Sequence, residues 1–437
     1  MNLVEKVRRA GVVGAGGAGF PTHIKLASKA EIVIANGAEC EPLLRKDAVV
    51  MERFAAEVVR GMQLAMEATG AKKGFIGIKG KNKHAIDAIR SACEGTAIEV
   101  FILGDYYPAG DEYDLVYSVT GRLIPPAGIP IQVGVVVNNV ETLLNIARAD
   151  ANNPVIKKTI TITGAVRKPC TITVPVGISY RECIEIAGGL TTERPVLLIG
   201  GLMMGQLSED IDLPVTKTST GVVILPRDHY VVGRKLLPEA SKAKIGKSAC
   251  DQCRYCTEYC PRFLLGYPVE PHQVMRSLAF TAIGSEYWNQ FAALCCACGL
   301  CTLYACPEGL FPKEACDSAK EEMRKLGVKW TGNKEVKPHP MRDGRRVPVK
   351  TLIKKLHIAE YDLPAPYLGE VGEPQKVVLP LKQSAGTPNR PLVKAGDRVE
   401  AGQQIGEVPQ GALGAVIHSP IGGKVVAVDS EKICIER

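Results

Sequence analysis

Cys250-Asp-Gln-Cys253-Arg-Tyr-Cys256-Thr-Glu-Tyr-Cys260-Pro261 is the stretch on which the reading of this chain turns. Cysteines separated by two, two and three residues, closed by proline, let three thiolates wrap one corner of an iron–sulfur cube while the fourth leaves to ligate another cluster. The pattern recurs at Cys295, Cys298, Cys301 and Cys306-Pro307, with one extra residue before its last cysteine. Crossed ligation is therefore expected: Cys250, Cys253, Cys256 and Cys306 hold one [4Fe-4S] cluster, and Cys295, Cys298, Cys301 and Cys260 hold the other. Zinc is the competing reading, but it favours paired C-x2-C knuckles with tetrahedral closure. Cys296 leaves the register of the second run open by one residue, and Cys316 stands outside both runs.

The rest of the composition agrees. Ten of the fifteen cysteines fall between Cys250 and Cys316. No run of 18 apolar residues and no charged-then-apolar leader is present, so neither a membrane span nor a secretory signal is expected. The chain reads as cytoplasmic, where thiols stay reduced and clustered cysteines mean metal rather than disulfides. A length of 437 residues suggests about three domains, and 46% hydrophobic with 23% charged residues is the balance of a folded protein. Aromatics at 5% leave little for base stacking. The net charge of +8 is concentrated: residues 321–357 hold eleven Lys or Arg against four acids, an excess of +7. Such a segment reads as solvated or cofactor-facing, with no nucleic-acid motif beside it. Two oxidised clusters at about −2 each would offset roughly half the total.

Working outward, residues 1–150 alternate helix and strand. Asp47–Ala71 carries apolar residues at helical spacing, Gly74–Ile78 is a strand, Lys83–Cys93 a helix and Ile98–Leu103 a strand. This is α/β layering. Residues 155–235 form a compact α+β module, with strands at Thr159–Thr163, Val196–Ile199 and Gly221–Leu225 around a helix at Ser179–Ala187. The cysteine block spans 240–330 and includes a helix at Pro271–Ile283, as in helical di-cluster ferredoxins. Residues 331–372 read as a basic linker with some helix near Thr351–Leu356. Residues 373–437 are short strands with glycine turns, a small β sandwich or barrel.

Gly14-Ala-Gly16-Gly17-Ala-Gly19 satisfies G-x-G-x-x-G, and Glu39 lies 20 residues beyond it, so the pattern alone is a dinucleotide-binding fingerprint. Context opposes that reading: Leu3, Val4, Val7 and Ala10 before it have helical spacing, where a buried strand is required. The physics still favours an anionic ligand, since successive glycines bring backbone N–H groups close to a phosphate or flavin, and Pro21 can open a helix. A plain tight turn is the bland alternative.

The longer strings carry a resemblance. Gly14 to Lys25 resembles the FMN loop of the NADH-oxidising flavoprotein subunit of respiratory complex I. Asn36-Gly-Ala-Glu39-Cys-Glu-Pro42 is similar to the acidic segment that follows it, Tyr107-Pro-Ala-Gly-Asp111-Glu112 to the glycine–glutamate–glutamate stretch, and Val137-Asn138-Asn139-Val-Glu-Thr142 to the asparagine pair. Ala15 replaces an arginine common in that family, Ala109 its cysteine, and Asp111 its first glutamate. Residues 157–232 resemble an SLBB (soluble-ligand-binding β-grasp) domain. The C-terminal strings Gly396–Gln403 and Ser419–Lys424 resemble the barrel-sandwich fold of lipoyl carriers; Glu407–Ala412 offers no lysine, so docking rather than lipoylation is expected. With that module at the end of the chain, the whole resembles PduS-type cobalamin reductases, with RnfC-like electron-transfer proteins as the wider family.

The resemblance implies a multidomain α/β and α+β protein: an FMN/NADH domain at 1–150, SLBB at 155–235, a 2[4Fe-4S] ferredoxin domain at 240–330 and a barrel-sandwich hybrid at 373–437. It implies FMN held by Gly14, Gly16, Gly17, Gly19, Lys25, Asn36, Glu39, Asn138 and Asn139, with Asp111 and Glu112 bordering the flavin as catalytic residues. NADH would be the donor, and cobalamin or a protein the acceptor. An adenosyltransferase or a microcompartment shell would be possible neighbours, in the cytoplasm or a microcompartment lumen. Three classes compete: an NADH-dependent cobalamin reductase, an electron-transfer component of a larger complex, and a zinc-based scaffold.

Overall fold

The computed structural model describes residues 1–279, 289–333 and 335–437. In the first domain, helix α1 (Leu3–Arg9) starts on Asn2, whose side chain accepts the Glu5 N–H at 3.0 Å, and α2 (Thr22–Leu26) follows the glycine loop. Then come β1 (Ile32–Gly37), α3 (Lys46–Arg53), α4 (Ala55–Thr69), β2 (Lys73–Lys79), α5 (Lys83–Cys93), β3 (Ile98–Leu103), β4 (Tyr106–Tyr107), α6 (Glu112–Thr120), β5 (Val135–Asn139) and α7 (Val140–Asp150). Strands pair in the order β3-β2-β1-β5, all parallel. Alternation along β1 puts Val33 and Ala35 against the layer that holds Val58, Met62, Ala65 and Leu143, and Ile32 and Ile34 against Leu115 and Val116 of α6. Both faces are covered, as a parallel sheet requires.

Two expectations for this domain change. A helix rather than a strand precedes the glycine loop, and Val13 meets Pro21 in an isolated antiparallel bridge, so the dinucleotide fingerprint lacks its strand. The single helix expected over Asp47–Ala71 breaks at Phe54 (φ −125°, ψ 30°), where the ring packs edge-on to Tyr367 and beneath the Arg148 guanidinium.

The second domain is a mixed sheet of β6 (Lys157–Gly164), β7 (Cys170–Pro175), β8 (Pro195–Ile199), β9 (Gln206–Ser208) and β10 (Gly221–Pro226), with α8 (Tyr180–Ile186) packed on it. Ser179 and Glu182 close a capping box on α8. The sequence reading did not single out β7. Its Thr171 and Thr173 meet Thr161 and Thr159 of β6 at 3.1 and 2.9 Å, while Ile172 and Val174 enter the core.

Among the described residues the cysteine block is helical, with no strand. The helices at Pro261–Leu264, Pro271–Ser277 and Pro312–Lys325 each open on proline, whose missing N–H costs nothing at that position. Of the helix expected at 271–283, residues 280–283 lie outside the described residues. The C-terminal domain closes two small sheets over Val377, Leu379, Ile405, Ile417, Val425 and Ile433.

Residues 331–372 do more than link. Val347–Pro348 pairs antiparallel with β4, the helix Val349–Lys355 buries Leu352 and Ile353 with Val196 and Leu198, and Tyr367–Glu370 adds an edge strand beside β7. Its arginines are engaged: Arg342 bonds Asp114 at 2.6 Å and Ser118 at 2.9 Å, Arg345 meets Glu258 at 2.9 Å, and Arg346 lies over Tyr106. Among the described residues no helix is long and apolar enough to cross a membrane.

Candidate flavin crevice and cysteine sets

The carboxyl ends of β1 and β5 lie side by side, with Asn36 opposite Asn139. In open α/β sheets this edge is where ligands bind. Asn139 caps α7 through its Oδ1, which accepts the Glu141 N–H at 3.0 Å, and its amide donates to both oxygens of Asp47 at 3.0 Å. Asn138 is buried, and its Nδ2 has no acceptor among the described residues. Asn36 donates to the Gly110 carbonyl at 2.9 Å, drawing the 107–112 loop onto the end of β1.

Above the asparagines sits the glycine loop. Gly14 N–H donates to Phe20 O and Gly19 N–H to Gly14 O, closing it. A Cβ on Gly16 would lie 3.4 Å from Asn139 Cβ, and Gly17 takes φ +113°, a region that side chains avoid. Residues 16–18 are exposed, and among the described residues no acceptor takes their N–H groups. Lys25 donates to Val137 O at 2.8 Å and faces Glu112 at 3.6 Å. Free backbone donors, an orphaned amide and a lysine make a set rich in donors. A phosphorylated flavin chain, an acceptor along its length, fits that set.

Three of the acids turn elsewhere. Glu39 accepts the Asp47 N–H at 3.0 Å, and burial, then the Asp47 charge, pushes its carboxyl up to about 7. Glu41 accepts the Met203 and Met204 N–H groups at 2.8 Å each, fastening a loop of the second domain, and burial raises it to about 6. Asp111 caps α6 through Oδ1 and pairs Arg262 at 2.8 Å through Oδ2. Both its oxygens are thus committed, which leaves Glu112 as the carboxylate that faces the crevice.

Arg262 follows Cys260-Pro261, stacks over Tyr113 at 3.6 Å, and so ties the cysteine block to the flavin domain. Tyr107 does the same: its hydroxyl donates to the Cys298 carbonyl at 2.7 Å. Cys250, Cys253, Cys256 and Cys306 line one cavity with Pro307 and His272. Burial, then the neighbouring Cys306, Cys250 and Cys253, pushes the Cys256 thiol up to about 12. Cys260 lies instead with Cys295 and Cys296, and Cys301 with Cys295, Cys256 and Cys260; burial and this crowding raise both thiols. Crowded buried thiols resist ionisation until a cation arrives, which is how metal binding comes to expel their protons. A hydrogen bond from Cys316 holds the Cys295 thiol down at about 7. Among the described residues no three His, Cys, Asp or Glu close around a single ion; a cube takes one thiolate per iron instead.

Comparison with known proteins supplies the family. The model of the Nuo51 FMN-binding domain matches residues 7–148, and that of the SLBB domain 159–207. The 4Fe-4S dicluster domain model matches 249–311, and the RnfC barrel sandwich hybrid domain model 366–436. A component of the proton-translocating ferredoxin:NAD(+) oxidoreductase complex of Clostridium ljungdahlii is 37% identical over 264 residues, 59% of this chain and 55% of that protein. The cobalamin reductase PduS of Citrobacter freundii is 41% identical and that of Salmonella typhimurium 43%, each over 435 residues, 99% of this chain and 96% of theirs. An oxidoreductase with an FMN domain and a two-cluster iron–sulfur domain, alike from end to end to those two reductases, the chain belongs to the PduS cobalamin reductase family.

Proposed function

We propose that the chain oxidises NADH at the crevice between the glycine loop and Glu112 and passes the electrons through the two cysteine sets to cobalamin. Bound FMN would supply the conversion of one hydride into two single electrons, and each cluster carries one at a time. Gly16, Gly17, Lys25 and Asn138 would hold the flavin, with Asn36 and Asn139, whose side chains are engaged within the protein, shaping the crevice around it; Glu112 would accept hydrogen bonds from the nucleotide hydroxyls. The observation that carries this reading is continuity. Tyr107 and Asp111, on the loop that borders the crevice, touch Cys298 and Arg262 of the cysteine block. The set Cys260, Cys295, Cys298 and Cys301 is accordingly the flavin-side set, and Cys250, Cys253, Cys256 and Cys306, with Cys253 exposed, the outer one.

Anaerobic purification with iron, sulfide and flavin quantification tests the cofactors; about eight iron and one FMN per chain are expected. NADH turnover with hydroxocobalamin, compared with an artificial acceptor, tests the substrate. Turnover with the artificial acceptor alone would favour a protein acceptor, the RnfC-like alternative, for which the similar component of the Clostridium ljungdahlii ferredoxin:NAD(+) complex is an analogue. The cytoplasm or a microcompartment lumen, with an adenosyltransferase as neighbour, suits a cobalamin product; co-purification with shell proteins tests the latter.

A further inference from the structure

Neither motif nor resemblance singles out Lys46 of α3 or Lys158 of β6. Both are fully buried, on two different domains, and their ammonium groups meet at one backbone atom. Lys158 Nζ donates to the Ala15 carbonyl at 3.0 Å and Lys46 Nζ to the same oxygen at 3.3 Å. Both also bond Glu141 Oε2, Lys46 at 3.0 Å, and Glu141 Oε1 takes the Thr159 N–H at 3.0 Å. On its other side Ala15 donates its own N–H to Thr142 Oγ1 at 2.9 Å. One residue of the glycine loop is thereby pinned from beneath at both of its polar atoms.

Burying two ammonium groups is expensive, and apolar side chains of the same volume would fill the space at lower cost. Glu141 and Asp47 offset the two charges, Lys46 lying 2.7 Å from Asp47. Burial still draws the Lys158 amine down to about 8 against the pull of Glu141. The gain must lie in where the loop points. In a planar trans peptide the carbonyl and the following N–H project to opposite sides. Holding the Ala15 carbonyl inward therefore aims the Gly16 N–H outward, toward the exposed mouth where the Gly16, Gly17 and Ala18 donors are free. Ala15 itself brings no side-chain cation to the loop.

Resting on the FMN reading above, we propose that Lys46 and Lys158 are positioning residues for the flavin phosphate: by fixing the Ala15 carbonyl they present the Gly16 N–H, and with it the loop's row of donors, to the anionic end of FMN. Lys158 makes the SLBB domain part of the flavin site. The test uses the full-length, anaerobically purified chain, freed of flavin, with FMN and riboflavin binding followed by quenching of flavin fluorescence. Lys158→Met weakens FMN binding about tenfold, the worth of one charge-assisted contact, while riboflavin affinity and iron content stay at wild-type values. Thr142→Val, which releases the other end of Ala15 without changing volume, moves FMN affinity in the same direction. Variants that bind both flavins as the wild type does, or that lose both equally, overturn the inference. A wild-type chain that takes up no FMN defeats the flavin reading itself, and the wild-type arm shows this separately.

Discussion

Lys25 and Glu112 face each other at 3.6 Å with both side chains partly open to solvent, so the pair contributes little to stability and is free to serve a ligand. In Glu112→Gln the carboxylate acceptor is lost while the fold is kept. The KM for NADH is expected to rise about tenfold with FMN content unchanged, read by steady-state kinetics and flavin absorbance. The glycines, asparagines and cysteines of the candidate site could be found from sequence because their chemistry is written in short strings. Tyr107, Arg262 and Lys158 could not. Their partners Cys298, Asp111 and Ala15 lie 191, 151 and 143 residues away, and no local pattern marks a contact that only the packed domains create. The same limit explains Asp111: its string places it beside Glu112, but a distant arginine claims it.

Among the elements, Lys83–Cys93 and Ile98–Leu103 were legible to the residue, because apolar spacing defines an amphipathic helix and a short apolar run bounded by polar and glycine residues defines a strand. Phe54 shows where spacing fails: the helical pattern runs on past it, yet the backbone leaves helical geometry there, at the residue whose ring meets Tyr367 and Arg148. The pair α4 and α7 makes a sharper point. Gly61 in α4 is so close to α7 that an added Cβ would sit 1.8 Å from the Leu143 carbonyl oxygen. Helix propensity alone predicts that Gly61→Ala stabilises by about 1 kcal/mol. The overlap with backbone reverses the sign, and a destabilisation of about 2–3 kcal/mol is expected from thermal or urea unfolding.

At the scale of the whole molecule, three domains meet at Lys217. Its buried ammonium donates to Gly11 O at 2.9 Å and Val416 O at 2.8 Å, and burial draws it down to about 7. The folded value lies below the unfolded one of 10.5, so between the two the unfolded chain holds the extra proton. Stability therefore rises as pH increases from 7 toward 10.5, by at most about 1.4 kcal/mol per unit from this group. Neighbouring His418, depressed to about 3 by burial and then by Lys217, stays neutral throughout. In Lys217→Met the melting temperature should lose this upward slope between pH 7 and 9. The domain order was legible from sequence, but the junction was not, since no composition signal marks a lysine that binds carbonyls from two other domains. One last asymmetry lies in the cysteine block: Cys253 is exposed, whereas Cys260, Cys298 and Cys301 are buried. Cys250 and Cys306 of the first set are half-buried as well, against Cys295 alone in the second, so the first set is the more open to dioxygen. Brief aeration should therefore strip iron held by Cys250, Cys253, Cys256 and Cys306 before the inner site is damaged. On the proposed arrangement, iron assays and EPR after timed exposure find a half-loaded protein that still reduces the cluster nearer the flavin but no longer delivers electrons outward.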